Sequence, residues 1–220
     1  WTATLEAEPD MLKKYEILNQ LQATDLHLYY KVLVENLVAL MPVVYTPTVG
    51  AACMNFDKIY RNSFGLHLSF FEHKGRVRKV IDNWPHEVDI IVVTDGGRIL
   101  GLGDLGTNGM GISMGKINLY VAGGGFHPNR ALPIQLDCGT DRKEMLEDEF
   151  YMGAKKPRIS LEDHALFLDE FCSAIKDKWP RALIQFEDFS TNHAQDLLDR
   201  NCQVVSVHGE SASDGGGGAP

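Results

Sequence analysis

Three short, almost wholly apolar runs constrain the fold of this chain more than any other feature. They lie at residues 88–94, 132–136 and 182–186. An apolar run of this length, without alternating polar residues, is typical of a strand that is covered on both faces. Segments with helical periodicity alternate with these runs, at 114–122, 161–179 and 192–199. This alternation predicts an α/β fold with helices flanking a mainly parallel sheet. A further strand is predicted at residues 98–100, after the turn Asp-Gly-Gly.

The N-terminal residues carry a different pattern. Apolar side chains recur at three- and four-residue steps from Met11 to Leu21 and from Leu26 to Leu37, which predicts two packed helices. We expect Met41-Pro42 to end this region, because proline disfavours the helical conformation in the residue before it. The predicted organisation is a helical segment at 1–44, an α/β domain at 45–204 and a tail at 205–220. The tail is rich in glycine and lacks an apolar face, so we predict that it is disordered.

Composition is that of a globular protein. With 220 residues, 44% hydrophobic and 23% charged, the chain can bury a core without disulfides or metals. The net charge of -9 argues against nucleic acid or an anionic membrane as a partner. The sequence analysis finds no apolar run of 18 residues and no signal-peptide pattern, which predicts a soluble, intracellular protein without a membrane partner. The four cysteines show no metal-binding spacing and are expected to be thiols.

Two single residues are candidates for acid–base chemistry. Tyr45 lies in a turn-rich stretch directly after an apolar run, and functional residues often lie in such loops. The alternative for Tyr45 is a half-buried packing role. Lys116 lies among small and apolar residues, where desolvation would lower its pKa as a general base requires. The alternative for Lys116 is a side chain that extends to solvent.

An acidic pair, Glu187-Asp188, ends the third apolar run and is flanked by Phe186 and Phe189. Parallel α/β sheets place ligands at the carboxyl ends of their strands. Two carboxylates there could hold Mg²⁺ or Mn²⁺, which prefer oxygen ligands. The alternative is an acidic pair on a surface loop. The histidines show neither the HxH nor the HExxH pattern, so zinc has no support from the sequence.

Residues 101–106 match the pattern GxGxxG of dinucleotide-binding folds. Two details argue against such a site. Asp104 would place a carboxylate beside the phosphates, and residues 122–126 lack the acidic residue that would bind the ribose. We therefore interpret this segment as a tight glycine turn beside a substrate pocket, and keep a dinucleotide-dependent dehydrogenase as an alternative that a binding titration would test.

Four segments in this order resemble the malic enzymes, which decarboxylate malate oxidatively. They lie at 41–50, 93–106, 108–116 and 185–189. The first reads Met-Pro-Val-Val-Tyr-Thr-Pro-Thr-Val-Gly, and the last reads Gln-Phe-Glu-Asp-Phe. The resemblance extends over roughly residues 10–203 and implies the fold of the N-terminal domain of that family.

The resemblance also implies a reaction and a set of roles. L-malate would be oxidised by NAD or NADP, and metal-assisted loss of CO2 would give pyruvate. Lys116 would be the general base, Tyr45 the general acid that protonates the enol, and Arg98 a ligand of a substrate carboxylate. Glu187 and Asp188 would bind Mg²⁺ or Mn²⁺. A homo-oligomer, dimer or tetramer, is implied, in the cytosol or the mitochondrial matrix.

The sequence departs from the family after Cys202-Gln203-Val204. The family has a further aspartate that completes the metal site, and a downstream NAD(P)-binding domain, and neither is present here. These departures predict an N-terminal fragment that is inactive alone. The alternative function is a catalytically inactive fragment that pairs with full-length malic enzyme subunits. A coupled NAD(P)H assay separates the two hypotheses, since the hypothesis of an interaction fragment predicts no turnover at any cofactor concentration.

Overall fold

A computed structural model describes residues 1–61, 64–190 and, by backbone alone, 206–208. The eleven α-helices of the described residues are α1 Thr2–Ala7, α2 Met11–Thr24, α3 Leu26–Glu35, α4 Leu37–Val44, α5 Thr48–Met54, α6 Phe56–Ile59, α7 Phe70–His73, α8 Val77–Asp82, α9 Met110–Ala122, α10 Lys143–Glu147 and α11 Leu161–Lys178. The strands are β1 Leu66–Ser69, β2 Ile90–Thr94, β3 Ala131–Asp137, β4 Leu183–Glu187 and β5 Ser206–His208.

The five strands form one sheet in the order β1-β3-β2-β4-β5, and every pair is parallel. The α/β prediction is thus confirmed, and the three apolar runs correspond to β2, β3 and β4. The sequence analysis missed β1, because this four-residue edge strand buries only Leu68 fully and has no continuous apolar run. The prediction of a strand at 98–100 is wrong. Ile99 makes only an isolated bridge to Gly103, since the chain turns back at Leu100–Leu102.

Helices cover both faces of the sheet, which explains why β2 is apolar from Ile90 to Val93. Ile91 and Val93 face one side, where they pack with Phe167 and Phe171 of α11. Ile90 and Val92 belong to the core on the other side, with α9 and the N-terminal helices. Since alternate strand residues point to opposite faces, a strand between two helical layers is apolar at most positions. Burying each such side chain contributes roughly 1.5–3 kcal/mol.

The N-terminal region is helical as predicted, with one correction at its end. Pro42 lies inside α4, which continues to Val44, although we expected Met41-Pro42 to end the helix. The proline leaves the carbonyl of Val38 without its usual helical donor. Val38 is 91% exposed, so water can hydrate that carbonyl and the helix tolerates the proline.

Residues 37–54 are long and apolar enough, by length and composition, to cross a membrane, which the sequence analysis did not find. In the structure they form two helices, α4 and α5, with a turn at Tyr45–Pro47 between them. Buried residues of both helices, Val43, Val44 and Ala52, belong to the core shared with α9. Buried core helices pass the same length-and-composition test, so this segment is weak evidence for a membrane span.

Other predicted elements have mixed outcomes. α11 confirms the helix predicted at 161–179, and Ser160 caps it through the N–H of Asp163. α9 begins at Met110, four residues before the predicted start. The helix predicted at 192–199 lies outside the described residues. The predicted tail begins at 205, whereas the backbone of Ser206–His208 pairs with β4, and the rest of the tail lies outside the described residues.

Candidate active site

Three of the residues singled out from the sequence meet between α9, β4 and the end of α4. Lys116 Nζ lies 3.1 Å from Glu187 Oε1, and the two side chains are 17% and 5% exposed. The same ammonium group lies 5.2 Å from the centre of the Tyr45 ring. A partly buried cation, a buried carboxylate and a partly buried phenol thus share one site, although they are distant in sequence.

Gly115 allows the Tyr45 ring to lie against α9. A Cβ atom at position 115 would lie 2.7 Å from Tyr45 Cδ2 and 3.1 Å from the carbonyl oxygen of Val44. The first distance is shorter than Cβ contacts allow and the second is tighter than most of them, so only glycine fits while the ring keeps its place. The residue before Lys116 therefore fixes how closely the phenol approaches the lysine.

We expect Gly115→Ala to displace the Tyr45 ring and to lower the free energy of unfolding by about 1–3 kcal/mol, as overpacking does. Alanine favours the helix by up to about 1 kcal/mol, so the loss arises from the clash with Tyr45. Urea unfolding followed by circular dichroism measures it. Gly50→Ala is the matched control, because a Cβ there meets only Leu102 at 3.5 Å and Leu100 at 3.9 Å. Equal effects of the two variants would contradict the packing role of Gly115.

Asp188 and Arg98 are joined through their backbones. The N–H of Arg98 donates to the carbonyl oxygen of Asp188 at 3.1 Å. This bond holds the loop after β2 against the end of β4, and the Arg98 residue is exposed. Asp188 has a φ of 53°, a left-handed conformation that is uncommon outside glycine and occurs often at functional sites. The buried Asp188 therefore follows Glu187 at a sharp change of chain direction.

The pKa of Lys116 differs from the sequence-based expectation. Burial lowers this pKa, as expected, but the charge of Glu187 and the contact with Tyr45 outweigh burial and raise it above the usual value. Lys116 is thus a cation in this structure. Burial also raises the pKa of the Tyr45 phenol, while the charge of Lys116 and its hydrogen bond oppose the rise. Tyr45 therefore keeps its proton at neutral pH.

The donor atoms suit a hard divalent cation in type. Glu187 and Asp188 are adjacent, buried carboxylates at the carboxyl end of a parallel strand. Within residues 1–61 and 64–190, however, no three His, Cys, Asp or Glu side chains form a group that could hold a metal ion. The described residues thus offer two oxygen-donor side chains and leave the remaining ligands to water, a substrate or other parts of the protein.

Comparison with known proteins places this chain in a family. The sequence model of the malic enzyme N-terminal domain matches residues 22–201. The chain belongs to the malic enzyme family. Its relatives include the NADP-dependent malic enzyme of Dictyostelium discoideum, which is 50% identical over 189 residues, or 86% of this chain and 35% of the relative. The hydrogenosomal malic enzyme of Neocallimastix frontalis is 50% identical over 195 residues, or 88% of this chain and 33% of the relative.

A mitochondrial relative depends on the other cofactor. The NAD-dependent malic enzyme 59 kDa isoform of Solanum tuberosum is 45% identical over 199 residues, or 89% of this chain and 33% of the relative. This chain therefore spans about a third of the length of the malic enzymes that it matches. The resemblance inferred from the sequence is confirmed.

A buried ion cluster near the site of this malic enzyme domain was missed by the sequence analysis. Arg158 donates from Nε and Nη2 to the two carboxylate oxygens of Asp104 at 3.0 and 2.9 Å. Its Nη1 lies 3.4 Å from Asp95 Oδ2, and His164 Nε2 lies 3.0 Å from the same oxygen. Asp104 also accepts from the N–H of Gly106 at 2.9 Å. The GxGxxG segment thus forms a turn held by Arg158.

Only one signal in the sequence pointed to this cluster. Asp104 was unsuited to a phosphate-binding turn, but the sequence analysis inferred no partner for its carboxylate. Nothing around Arg158 identified that partner, because it lies 54 residues further along the chain.

Proposed function

We propose that this chain supplies the malate-binding part of an enzyme that oxidises L-malate with NAD or NADP and releases CO2 and pyruvate. The observation that supports the proposal most is the cluster of Lys116, Glu187 and Tyr45, which combines a base, a carboxylate and an acid in one partly buried site. Family membership supports the same reaction, since the relatives are named as NAD- or NADP-dependent malic enzymes.

Lys116 is the proposed general base on the hydroxyl group of malate. As long as the Glu187 charge faces it at 3.1 Å, the amine holds its proton. Neutralisation of Glu187 removes the main contribution that raises the pKa of Lys116, and the effect of burial then lowers this pKa. Lys116 thereby becomes able to accept the hydroxyl proton when the neighbouring carboxylate is engaged by another cation.

Glu187 and Asp188 are the proposed ligands of Mg²⁺ or Mn²⁺. A divalent cation bound to these carboxylates would act as a Lewis acid on the hydroxyl oxygen, and later the carbonyl oxygen, of the substrate. The two buried side chains fit this group in donor type, since both offer hard oxygen atoms. Their position at the end of β4 keeps the donors on a rigid element.

Tyr45 and Arg98 complete the proposed roles. Tyr45 keeps its phenolic proton and lies beside Lys116, so it is placed to donate that proton to the enol carbon. Arg98 would bind a substrate carboxylate with its planar donors, from the loop that is tied to Asp188. Assembly into dimers or tetramers, the cytosol or mitochondrial matrix as compartment, and the absence of nucleic-acid and membrane partners stay predictions.

A chimaera tests the proposed function. Residues 22–201 would replace the aligned third of the Dictyostelium NADP-dependent malic enzyme. We expect malate-dependent formation of NADPH, measured by its absorbance, whereas the 220-residue chain alone should show none because hydride transfer needs a bound nicotinamide.

The parent enzyme is the control for assembly. A chimaera that melts cooperatively, has the subunit composition of the parent and still reduces no NADP would contradict the proposed function.

A further inference from the structure

Two side-chain contacts connect α9 to β4, and the distance between them along the helix matches the distance between them along the strand. Lys116 meets Glu187, and one helical turn further along α9, Tyr120 meets Gln185. Four residues of a helix advance by about 6 Å, and two residues of a strand advance by about 6.6 Å. Because these rises match, the two elements can form both contacts side by side. The second pair has no role in the proposed reaction described above.

The hydrogen bonds of these residues form a directed chain. The hydroxyl of Tyr120 donates to Gln185 Oε1, and Gln185 Nε2 donates to Glu187 Oε2. The other oxygen, Glu187 Oε1, faces Lys116 Nζ. Gln185 and Glu187 are 7% and 4% exposed, so water competes little for these bonds. The chain therefore ends on the carboxylate that the proposed site uses.

The carboxylate determines the orientation of the amide. An ionised carboxylate only accepts hydrogen bonds, so the NH2 group of Gln185 must face Glu187 and the amide oxygen must face Tyr120. Tyr120 then stabilises this orientation by donating to the amide oxygen. Without these two residues, Lys116 alone would restrict the terminal torsion of Glu187, which is intrinsically broad.

We propose that Tyr120 and Gln185 are positioning residues, which hold the Glu187 carboxylate with Oε1 toward Lys116 and so prepare it to bind a divalent cation. This inference rests on the proposed function only in the identity of the ion that Glu187 receives. Groups that orient metal ligands in this way typically change metal affinity by about 10–100-fold when they are removed.

The first measurement is a titration of the 220-residue chain with Mn²⁺, in which the electron paramagnetic resonance signal reports the concentration of the free ion. We expect a dissociation constant of about 1 mM for the wild type, because an oxygen site with two protein carboxylates is incomplete. Tyr120→Phe and Gln185→Met should each raise this constant about tenfold. Tyr29→Phe is the matched control. Tyr29 lies on α3, and its hydroxyl is buried without a hydrogen bond among the described residues.

The second measurement does not need the metal. The side-chain amide of Gln185 gives a ¹H–¹⁵N signal that is assigned by its disappearance in the spectrum of Gln185→Met. We expect this signal to be shifted from that of a solvated glutamine. Tyr120→Phe should move this signal toward the solvated value, and Tyr29→Phe should leave it unchanged. Thermal melting shows whether each variant is folded. A loss of Mn²⁺ affinity that is caused by unfolding can therefore be distinguished from a change at the site.

The outcomes separate this inference from the proposed function. Mn²⁺ binding that Glu187→Gln abolishes, but that Tyr120→Phe and Gln185→Met leave unchanged, overturns the positioning role and keeps the metal site. Binding that Glu187→Gln leaves unchanged, or no binding at all by the wild type, overturns the metal site. In that case the Gln185 signal decides the positioning role, and a signal that Tyr120→Phe does not move overturns it.

Discussion

Replacing Lys116 by alanine in the chimaera should lower kcat by about 10²–10⁴-fold, the usual effect of removing a general acid or base. The KM for malate should change much less, because proton transfer stabilises the transition state more than the bound substrate. The measurement is the rate of NADPH formation at saturating malate and metal. Lys143→Ala is the control, since that side chain is 81% exposed and pairs with Glu147 on the surface.

A second substitution separates the base from the charge. Lys116→Arg keeps a cation beside Glu187, but a guanidinium group does not lose its proton in proteins. We therefore expect the arginine variant to be about as inactive as the alanine variant. Activity of Lys116→Arg near the parent value would show that the site needs only the positive charge, and Lys116 would then not be the base. An alanine variant within about threefold of the parent would exclude either catalytic role.

Replacing Arg158 by methionine should give the largest loss of stability predicted for this domain. The arginine side chain is 12% exposed, and the carboxylates of Asp95 and Asp104 that it neutralises are 0% and 19% exposed. Removing one member of a buried ion pair typically costs about 3–5 kcal/mol, because a charge is left buried and unneutralised. For a domain of this size, that loss lowers the melting temperature by roughly 6–20 °C. Urea and thermal unfolding of the 220-residue chain measure both quantities.

Two further variants locate the cause of this loss. Arg78→Met removes an arginine that also contacts two carboxylates, Asp82 and Asp177, but on the surface, so its effect should be small. Adding Asp104→Asn to Arg158→Met should recover part of the lost stability, because one unneutralised charge is removed with its partner. If Arg158→Met costs no more than Arg78→Met, the cluster does not hold the turn that follows β2.

Several features of this protein follow from the sequence by itself. Strands β2, β3 and β4 were predictable, because a strand covered by helices on both faces is mostly apolar along its length. The position of Glu187 and Asp188 at the carboxyl end of β4 followed from the same run. Four motifs in the family's order were enough to predict the malic enzyme family, which the comparisons confirm.

Other features were decided only by the tertiary structure. The pKa of Lys116 depends on the charge of Glu187, which lies 71 residues away in sequence and 3.1 Å away in space, so local burial alone predicted the wrong direction. The cluster around Arg158 and the chain from Tyr120 through Gln185 to Glu187 were likewise invisible in the sequence. Burial patterns repeat along a chain and can be read from neighbouring residues. Charge interactions depend on distances in space, and the packing of α9 on the sheet and of the loop after β2 against α11 sets those distances.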